Sequence, residues 1–488
     1  MSSMRSSRRS FLTGMVCTVG FPGCRFPFGT DAWASVPRLR FGVVSDIHLT
    51  RETGEPGDRQ DQAPLLRAFG YFRDRRADAV VLAGDMADSG LVAELQSVAN
   101  VWEQAFPGSR LPDGSPVARI FVTGNHDWEG CNYGKLTHTR FPDEKDFARR
   151  VLRTDYAGNW ERIFKEPYQR VYLKRVKGYA FVGAHWHPDF LERSCRGKDE
   201  PFNSHVAEFY AKHGAELAGE RPFFHVQHPH PKGTVFGPWA SCDDGTATRI
   251  LSAFPNAVAI SGHSHMSLTD ERAIWQGGFT SIGAGSLLYT SLPTTELPFP
   301  GYENAGGYRD VKKLTPCRPQ AWQRAAQQGL FVTVYEDRME IERLDFGSCV
   351  SVGSTWTVPT GTGAERPYAF AAHSGHLDPP AFAAQDTLRI FRAASALTVE
   401  IPPARNAEGV HAYSYELRAY DAEGRILQAR RLLAEDFNLP AVSQGLPTRC
   451  VFSLSDVASV VRFDARPLDS FGNKGEWVSA ETRTLDLL

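Results

Sequence analysis

The stretch "FVTGNHDWEG", residues 121–130, runs from strand-forming Phe121 and Val122 through the turn residue Gly124 into Asn125, His126 and Asp127. Asn and Asp commonly end strands because their side chains hydrogen-bond locally, so taken alone the triplet reads as a polar turn. Its surroundings alter that reading. "LRFGVVSD" (39–46), "DAVVLAGD" (78–85), "YAFVGAH" (179–185), "FFHVQH" (223–228) and "AVAISGHSH" (257–265) are also short β-rich runs ending in polar residues. Amphipathic segments lie between them. In 90–106, Leu91, Leu95, Val98, Ala99, Trp102 and Phe106 recur at helical spacing and form one apolar stripe. Strands alternating with helices over residues 39–345 predict an α/β domain with functional groups at the carboxyl ends of its strands.

Those ends carry a consistent chemistry. Asp46 and His48 close the first run, and alternate strand residues point the same way, so a carboxylate and an imidazole can meet one cation. Asp85 follows Gly84, where the missing side chain allows close approach. Asn125 ends the third run, His228 lies in "HVQHPHP", and His263 and His265 are spaced i and i+2 in "SGHSH". Singly, each is a polar turn residue or a histidine satisfied in the core. Together, mixed carboxylate, imidazole and amide donors suit one or two first-row metal ions.

D-x-H, G-D, G-N-H-D, a histidine near "HP", and G-H-x-H occur here in that order, and they resemble the calcineurin-like metallophosphoesterases over about residues 40–290. The resemblance implies a four-layer αββα sandwich with two divalent or trivalent ions (Fe, Mn or Zn) between loops at the strand ends. Asp46, His48, Asp85 and His265 would hold one ion. Asp85, Asn125, His228 and His263 would hold the other, with Asp85 as the bridge. The family needs one histidine where this chain has His225, His228 and His230. His228, directly after the strand and before Pro229, is the preferred ligand and His230 the alternative; His225, inside the run, reads as core. In the family the residue at His126 faces the leaving group, and Asp127 is expected to orient that ring and raise its pKa. Two cations ~3.5–4 Å apart can clamp a phosphoryl group and hold the attacking hydroxide, so no Ser, Cys or Lys nucleophile is needed.

The substrate is less legible. A phosphomonoester, phosphodiester or pyrophosphate bond is expected, in a small molecule. Trp128, Tyr133, Lys135, Trp186, His187 and Arg309 are aromatic or basic residues that could touch it, and ordinary packing explains them equally well. His185 and His187 could also suggest a further metal site, which the set above leaves without need. With 54 Lys and Arg against 56 Asp and Glu, the near-neutral balance gives no electrostatic reason to expect a nucleic-acid partner and counts mildly against a nuclease, since phosphate backbones favour basic tracks. A catalytically silent, surface-binding metalloprotein is the alternative from another class.

The flanks differ in character. Residues 1–34 combine Arg5, Arg8 and Arg9, an apolar stretch and "AWA", the order of a cleavable export signal; "SRRSFL" resembles a twin-arginine signal, predicting a periplasmic or secreted protein. Cys24 in "FPGC" is a poor match to a lipid-attachment site. Beyond the signal, Cys131, Cys195, Cys242, Cys317, Cys349 and Cys450 are scattered without a CxxC pair, which excludes a zinc ribbon and leaves disulfide pairing open. An insert is expected at about 128–222, next to His126. Residues 351–387 open with the Gly-, Ser-, Thr- and Pro-rich run of a linker. Tyr413, Tyr415 and Leu417 alternate up to a turn at Glu423-Gly424, predicting a hairpin inside a small all-β sandwich, fibronectin type III- or immunoglobulin-like, over 388–488. That sandwich could contact a surface or glycan, or be an appendage of the catalytic unit. No run is long and apolar enough to span a membrane.

Overall fold

Strands β1 (Leu39–Val44), β2 (Ala79–Ala83) and β3 (Ala118–Val122) lie side by side and parallel. Their alternate residues serve two cores: Phe41, Val43, Val81, Ala83, Ile120 and Val122 face one, while Val44, Val80, Leu82 and Phe121 face the other. A second sheet is built in the order β4 (Val171–Val176), β5 (Tyr179–Ala184), β6 (Phe223–Val226), β7 (Ala257–Ser261), β9 (Thr280–Gly283) and β8 (Ile274–Gln276). Here β5, β6, β7 and β9 run parallel. The first sheet is completed by β10 (Gln328–Val334), antiparallel to β1, then β11 (Arg338–Asp345), which pairs with β12 (Val350–Ser351) and β13 (Trp356–Pro359).

The two sheets face each other across Phe41, Phe181 and Phe224, whose ring centroids are 4.7–5.3 Å apart. Helices Ala63–Asp74, Val92–Ala105 and Tyr156–Phe164 cover the outer face of the first sheet through residues such as Phe69, Phe72, Trp102 and Trp160. Ser204–Leu217 and Thr246–Leu251 cover the second through Val206, Tyr210, Leu217 and Leu251. The result is four layers, αββα. This computed structural model describes residues 36–50, 62–128, 151–186, 204–237, 243–290, 326–361, 363–376, 378–438, 445–482 and 485–486. The expected export signal with Cys24, and Tyr133, Lys135, His187 and Arg309, lie outside the described residues.

Two intervals differ from expectation. Much of the stretch expected as an insert, 128–222, belongs to the sandwich itself, because β5 is buried along its whole length and pairs with β6. The expected linker, 351–387, contains β13, whose turn-rich neighbours obscure the inward alternation of Trp356 and Val358. Cys450 is a free, buried thiol, and Cys349 is disulfide-bonded. Among the described residues no helix is long and apolar enough to cross a membrane.

The C-terminal region forms two four-stranded sheets around a core of its own that includes Ile390, Val399, Tyr415, Leu417, Phe452 and Phe463. Its hairpin joins Ser414–Tyr420 to Ile426–Leu433 through a turn at Gly424, whose φ is 79°. The unit is fastened to the αββα sandwich just after "GHSH". Thr269 donates to the Phe437 carbonyl. Arg272 is fully buried, forks onto Asp270 at 2.8 and 2.6 Å, and lies 3.9 Å from the Phe236 ring centroid and 4.8 Å from that of Tyr413.

Arg272→Ala strands the Asp270 carboxylate without its partner and is expected to cost about 3–5 kcal/mol in urea denaturation; adding Asp270→Asn to the same chain is expected to recover part of the loss. At the start of helix Val92–Ala105, one Glu94 oxygen accepts from Ser89 N and Leu91 N, both at 3.0 Å. Burial pushes this carboxyl up to about 8, above its unfolded value. The folded state therefore binds the proton more readily, and stability is expected to fall as pH rises from about 4.5 to about 8. Denaturation of metal-free protein across that range should show the fall, and Glu94→Gln should flatten it.

Candidate metal centre

Asp46 and His48 follow β1, Asp85 follows β2, Asn125 follows β3, His228 follows β6, and His263 and His265 follow β7. Parallel strand direction in each sheet brings these ends to one edge of the sandwich. The turns there are unusual. Asp46, His48, Asp85, His263 and His265 all take left-handed backbone angles, with φ between 47° and 71°, a conformation that costs a non-glycine residue about 1–3 kcal/mol. Gly84 (φ 98°) packs so closely that a Cβ there would lie 2.3 Å from His228 Nδ1. A Cβ on Gly124 would lie 2.1 Å from Asp85 Oδ1.

Two groups of donor atoms form around the Asp85 carboxylate, each within 4.8 Å, Asp46 with His48 and His265 and Asp85 with His228 and His263, and His48, Asp88 and His126 form a third beside them. In the first, His265 Nε2 is 3.0 Å from Asp46 Oδ1 and 3.2 Å from His48 Nε2. In the second, His228 Nε2 is 3.1 Å from Asp85 Oδ2 and 3.3 Å from His263 Nδ1. Asp85 Oδ2 also lies 3.7 Å from His48 Nε2, so this one oxygen reaches both groups. Its Oδ1 accepts from His126 N at 2.8 Å, which ties residues 124–126, and Asn125 with them, to Asp85.

The protons point the wrong way for these groups to satisfy one another. His48 Nδ1 faces Asp88 Oδ1 (3.2 Å), His265 Nδ1 faces the Tyr289 carbonyl (3.3 Å), and His228 Nδ1 faces the Ala83 carbonyl (2.7 Å). Each outer nitrogen donates, which leaves Nε2 of each neutral ring as a lone pair aimed into the group. Asn125 Oδ1 is buried with no hydrogen-bond partner, at a cost of about 1–3 kcal/mol for a desolvated acceptor. Converging lone pairs, carboxylate oxygens and an orphaned amide oxygen fit cations, and the mixture of N and O donors fits first-row ones.

The electrostatics agree. Burial opposes ionisation of Asp46 and Asp85, yet neighbouring histidines outweigh it and hold both well below the usual carboxylate range. Burial likewise opposes a charge on His228, but Asp85 and Asp46 pull it up to about 9, so a proton takes the place a metal ion would claim. Burial and His228 push His263 down to about 3, and burial lowers His48.

Asp127 does not do what was expected of it. Its carboxylate accepts from Ala87 N (2.8 Å), Gly124 N (2.8 Å) and Met86 N (3.3 Å), pinning the loop after β2 to the loop after β3. It is the nearest fixed dipoles that decide this: three backbone N–H groups converge on it, and none of its hydrogen bonds goes to the His126 ring. Burial and the Asp85 charge raise it to about 7. Asp88 holds the ring instead. His126 Nδ1 donates to the Asp88 carbonyl at 2.8 Å and lies 3.8 Å from the Asp88 carboxylate, which also holds His48. Sequence reasoning missed Asp88, although its place three residues after Asp85 in "GDMAD" was a usable signal. It also missed Tyr289, whose ring lies 4.3 Å from that of His265 and for which the sequence carried no signal.

Of the suggested substrate contacts, Trp128 stacks on Tyr156 at 4.2 Å, and Trp186 is buried against His228 and His263 at 5.9 and 5.7 Å. Both are packing residues. His225 bonds Tyr210 and Gln227 in the core, His185 accepts from Thr123 N, and His230 lies between two serines rather than in either donor group.

Residues 39–267 match the family model described as calcineurin-like phosphoesterase. No curated protein matches the chain. Solved structures that resemble it include a predicted phosphoesterase from Streptococcus pneumoniae TIGR4 (12% identity, 66% of this chain and 97% of that one, TM-score 0.27). Another is GAP50, the anchor in the inner membrane complex of Plasmodium (12%, 70% and 95%, TM-score 0.36). A third is the purple acid phosphatase PPD1 from yellow lupin seeds (14%, 67% and 55%, TM-score 0.39). The family match and the αββα architecture agree: residues 39–267 form a calcineurin-like phosphoesterase domain.

Proposed function

We propose that the chain is an exported, dinuclear-metal phosphoesterase that hydrolyses a phosphomonoester, phosphodiester or pyrophosphate bond in a small molecule. The observation that carries this reading is the shared Asp85 oxygen, 3.1 Å from His228 on one side and 3.7 Å from His48 on the other. Asp46, His48, Asp85 and His265 would hold one cation, and Asp85, Asn125, His228 and His263 the other. Bound there, the pair would supply Lewis acidity toward a phosphoryl oxygen and make water acidic enough to react near neutral pH.

The chain's own contribution to the chemistry centres on His126. Unlike the other site histidines that Asp85 contacts, its side chain is 26% exposed. Burial disfavours its charge, but Asp85 and Asp88 outweigh burial and raise its pKa, so the protonated ring is populated at a higher pH than in a free imidazole. Nδ1–H donates to the Asp88 carbonyl, so in the charged ring Nε2–H is the group that would give its proton to the departing oxygen. Asp88 keeps the ring in that tautomer. Export is supported by the basic, apolar and small-residue order of residues 1–34 and by the disulfide at Cys349, a bond that persists in oxidising compartments. The anchorage of the C-terminal sandwich through Thr269 and Arg272 favours a structural appendage over a separate surface-binding module.

The decisive experiment loads metal-free protein with Mn²⁺, Fe²⁺ or Zn²⁺, measures stoichiometry, and screens nitrophenyl phosphate, bis-nitrophenyl phosphate, cyclic nucleotides and nucleoside diphosphate sugars. Two ions per chain with hydrolysis of at least one ester are expected, and Asp85→Asn should lose both ions. Two ions without hydrolysis would point to the silent, surface-binding alternative. His126→Ala is expected to slow turnover of alkyl phosphate esters by about 10²–10⁴ while affecting nitrophenyl esters far less, because nitrophenolate leaves without a proton. Equal losses on the two substrates would remove the acid role.

A further inference from the structure

His230 is the one histidine of "HVQHPHP" that is both buried and spoken for at each ring nitrogen by the "SGHSH" turn. Nδ1 lies 2.7 Å from Ser261 Oγ and Nε2 lies 2.7 Å from Ser264 Oγ. Ser261 ends β7, and Ser264 stands between His263 and His265. One rigid ring therefore spans the start and the middle of the turn in which both histidines take left-handed angles of 71° and 54°.

The ring and the turn have no room to drift. A Cβ on Gly237 would lie 2.5 Å from Ser264 Cβ and 2.9 Å from His230 Cδ2. On the other side, a Cβ on Gly283 would come within 3.6 Å of His230 Cε1. A neutral imidazole has one donor and one acceptor, and a serine hydroxyl can serve either, so both bonds form whichever tautomer is present.

We propose that His230 is a positioning residue for the candidate metal centre: by bridging Ser261 and Ser264 it fixes the turn that aims His263 and His265 before any ion arrives. This rests on the metal reading above. Loss of a group that orients metal ligands commonly weakens metal binding by about 10–100-fold.

The test titrates Co²⁺ into the metal-free full chain, with affinity read by chelator competition and ligand geometry by the visible absorption band. Folding of each variant is checked by circular dichroism. His230→Ala is expected to raise the Co²⁺ dissociation constant about 10–100-fold and to alter the band. Ser261→Ala and Ser264→Ala should each show a smaller loss in the same direction. His230→Ala combined with Ser264→Ala should be hardly worse than His230→Ala alone, since the two share one interaction. If His230→Ala does not fold, the serine variants carry the test, for each removes a hydroxyl and leaves the ring in place. Folded variants with wild-type affinity and an unchanged band would overturn the proposal while leaving the metal reading intact. A wild-type chain that takes up no Co²⁺, Mn²⁺ or Zn²⁺ would overturn both.

Discussion

Nitrogen lone pairs and carboxylate oxygens meet at 3.0–3.7 Å at the edge of this sandwich, with the ring protons of His48, His228 and His265 turned away toward fixed acceptors. Left to itself such a cluster repels, and the raised proton affinity of His228 shows the site drawing in positive charge to relieve it. The backbone is tense as well, since the residues that carry the donors include five in left-handed conformations. The rest of the domain can be understood as what holds those turns against both costs.

The holding is done in two tiers. Parallel strands buried on both faces fix where each turn begins, and the Phe41, Phe181 and Phe224 cluster locks one sheet to the other, so the two sets of donors keep their separation. Polar side chains then tie turn to turn. Asp127 binds the loop after β2 to the loop after β3, Asp85 binds His126 N, and the Asp46 carboxylate accepts from His263 N at 3.0 Å across 217 residues of sequence. Few of these ties involve the solvent-exposed pairs whose worth is marginal; they are buried and lie between elements.

How much of this the sequence reveals depends on whether a role is local. The gathering of Asp46, His48, Asp85, Asn125, His228, His263 and His265 at one edge was legible because each ends a β-rich run, and a strand end fixes direction as well as position. The layers were legible from alternation for the same reason. Asp88 and His230 were not, because their partners are chosen by loop paths: Asp88 meets His48 forty positions away and His230 meets Ser264 thirty-four away. Asp127 misled because adjacency to His126 in the chain suggested contact, whereas the two lie on a helical turn, where successive side chains do not face each other. Trp356 and Val358 were hidden by a composition that turns and edge strands share.

The distance in sequence between the two halves of the cluster has a consequence for how the molecule comes into being. Asp46, His48, Asp85 and Asn125 leave the ribosome early, His263 and His265 much later, and β1 gains its antiparallel neighbour only when Gln328–Val334 has been made. A nascent chain halted midway has carboxylates and one or two imidazoles but no closed cage, so it can hold an ion only in the loose manner of any acidic peptide. On the metal reading proposed above, tight cation capture would be reserved for the finished product, and a retained ion would report that synthesis and sheet assembly had both run to completion.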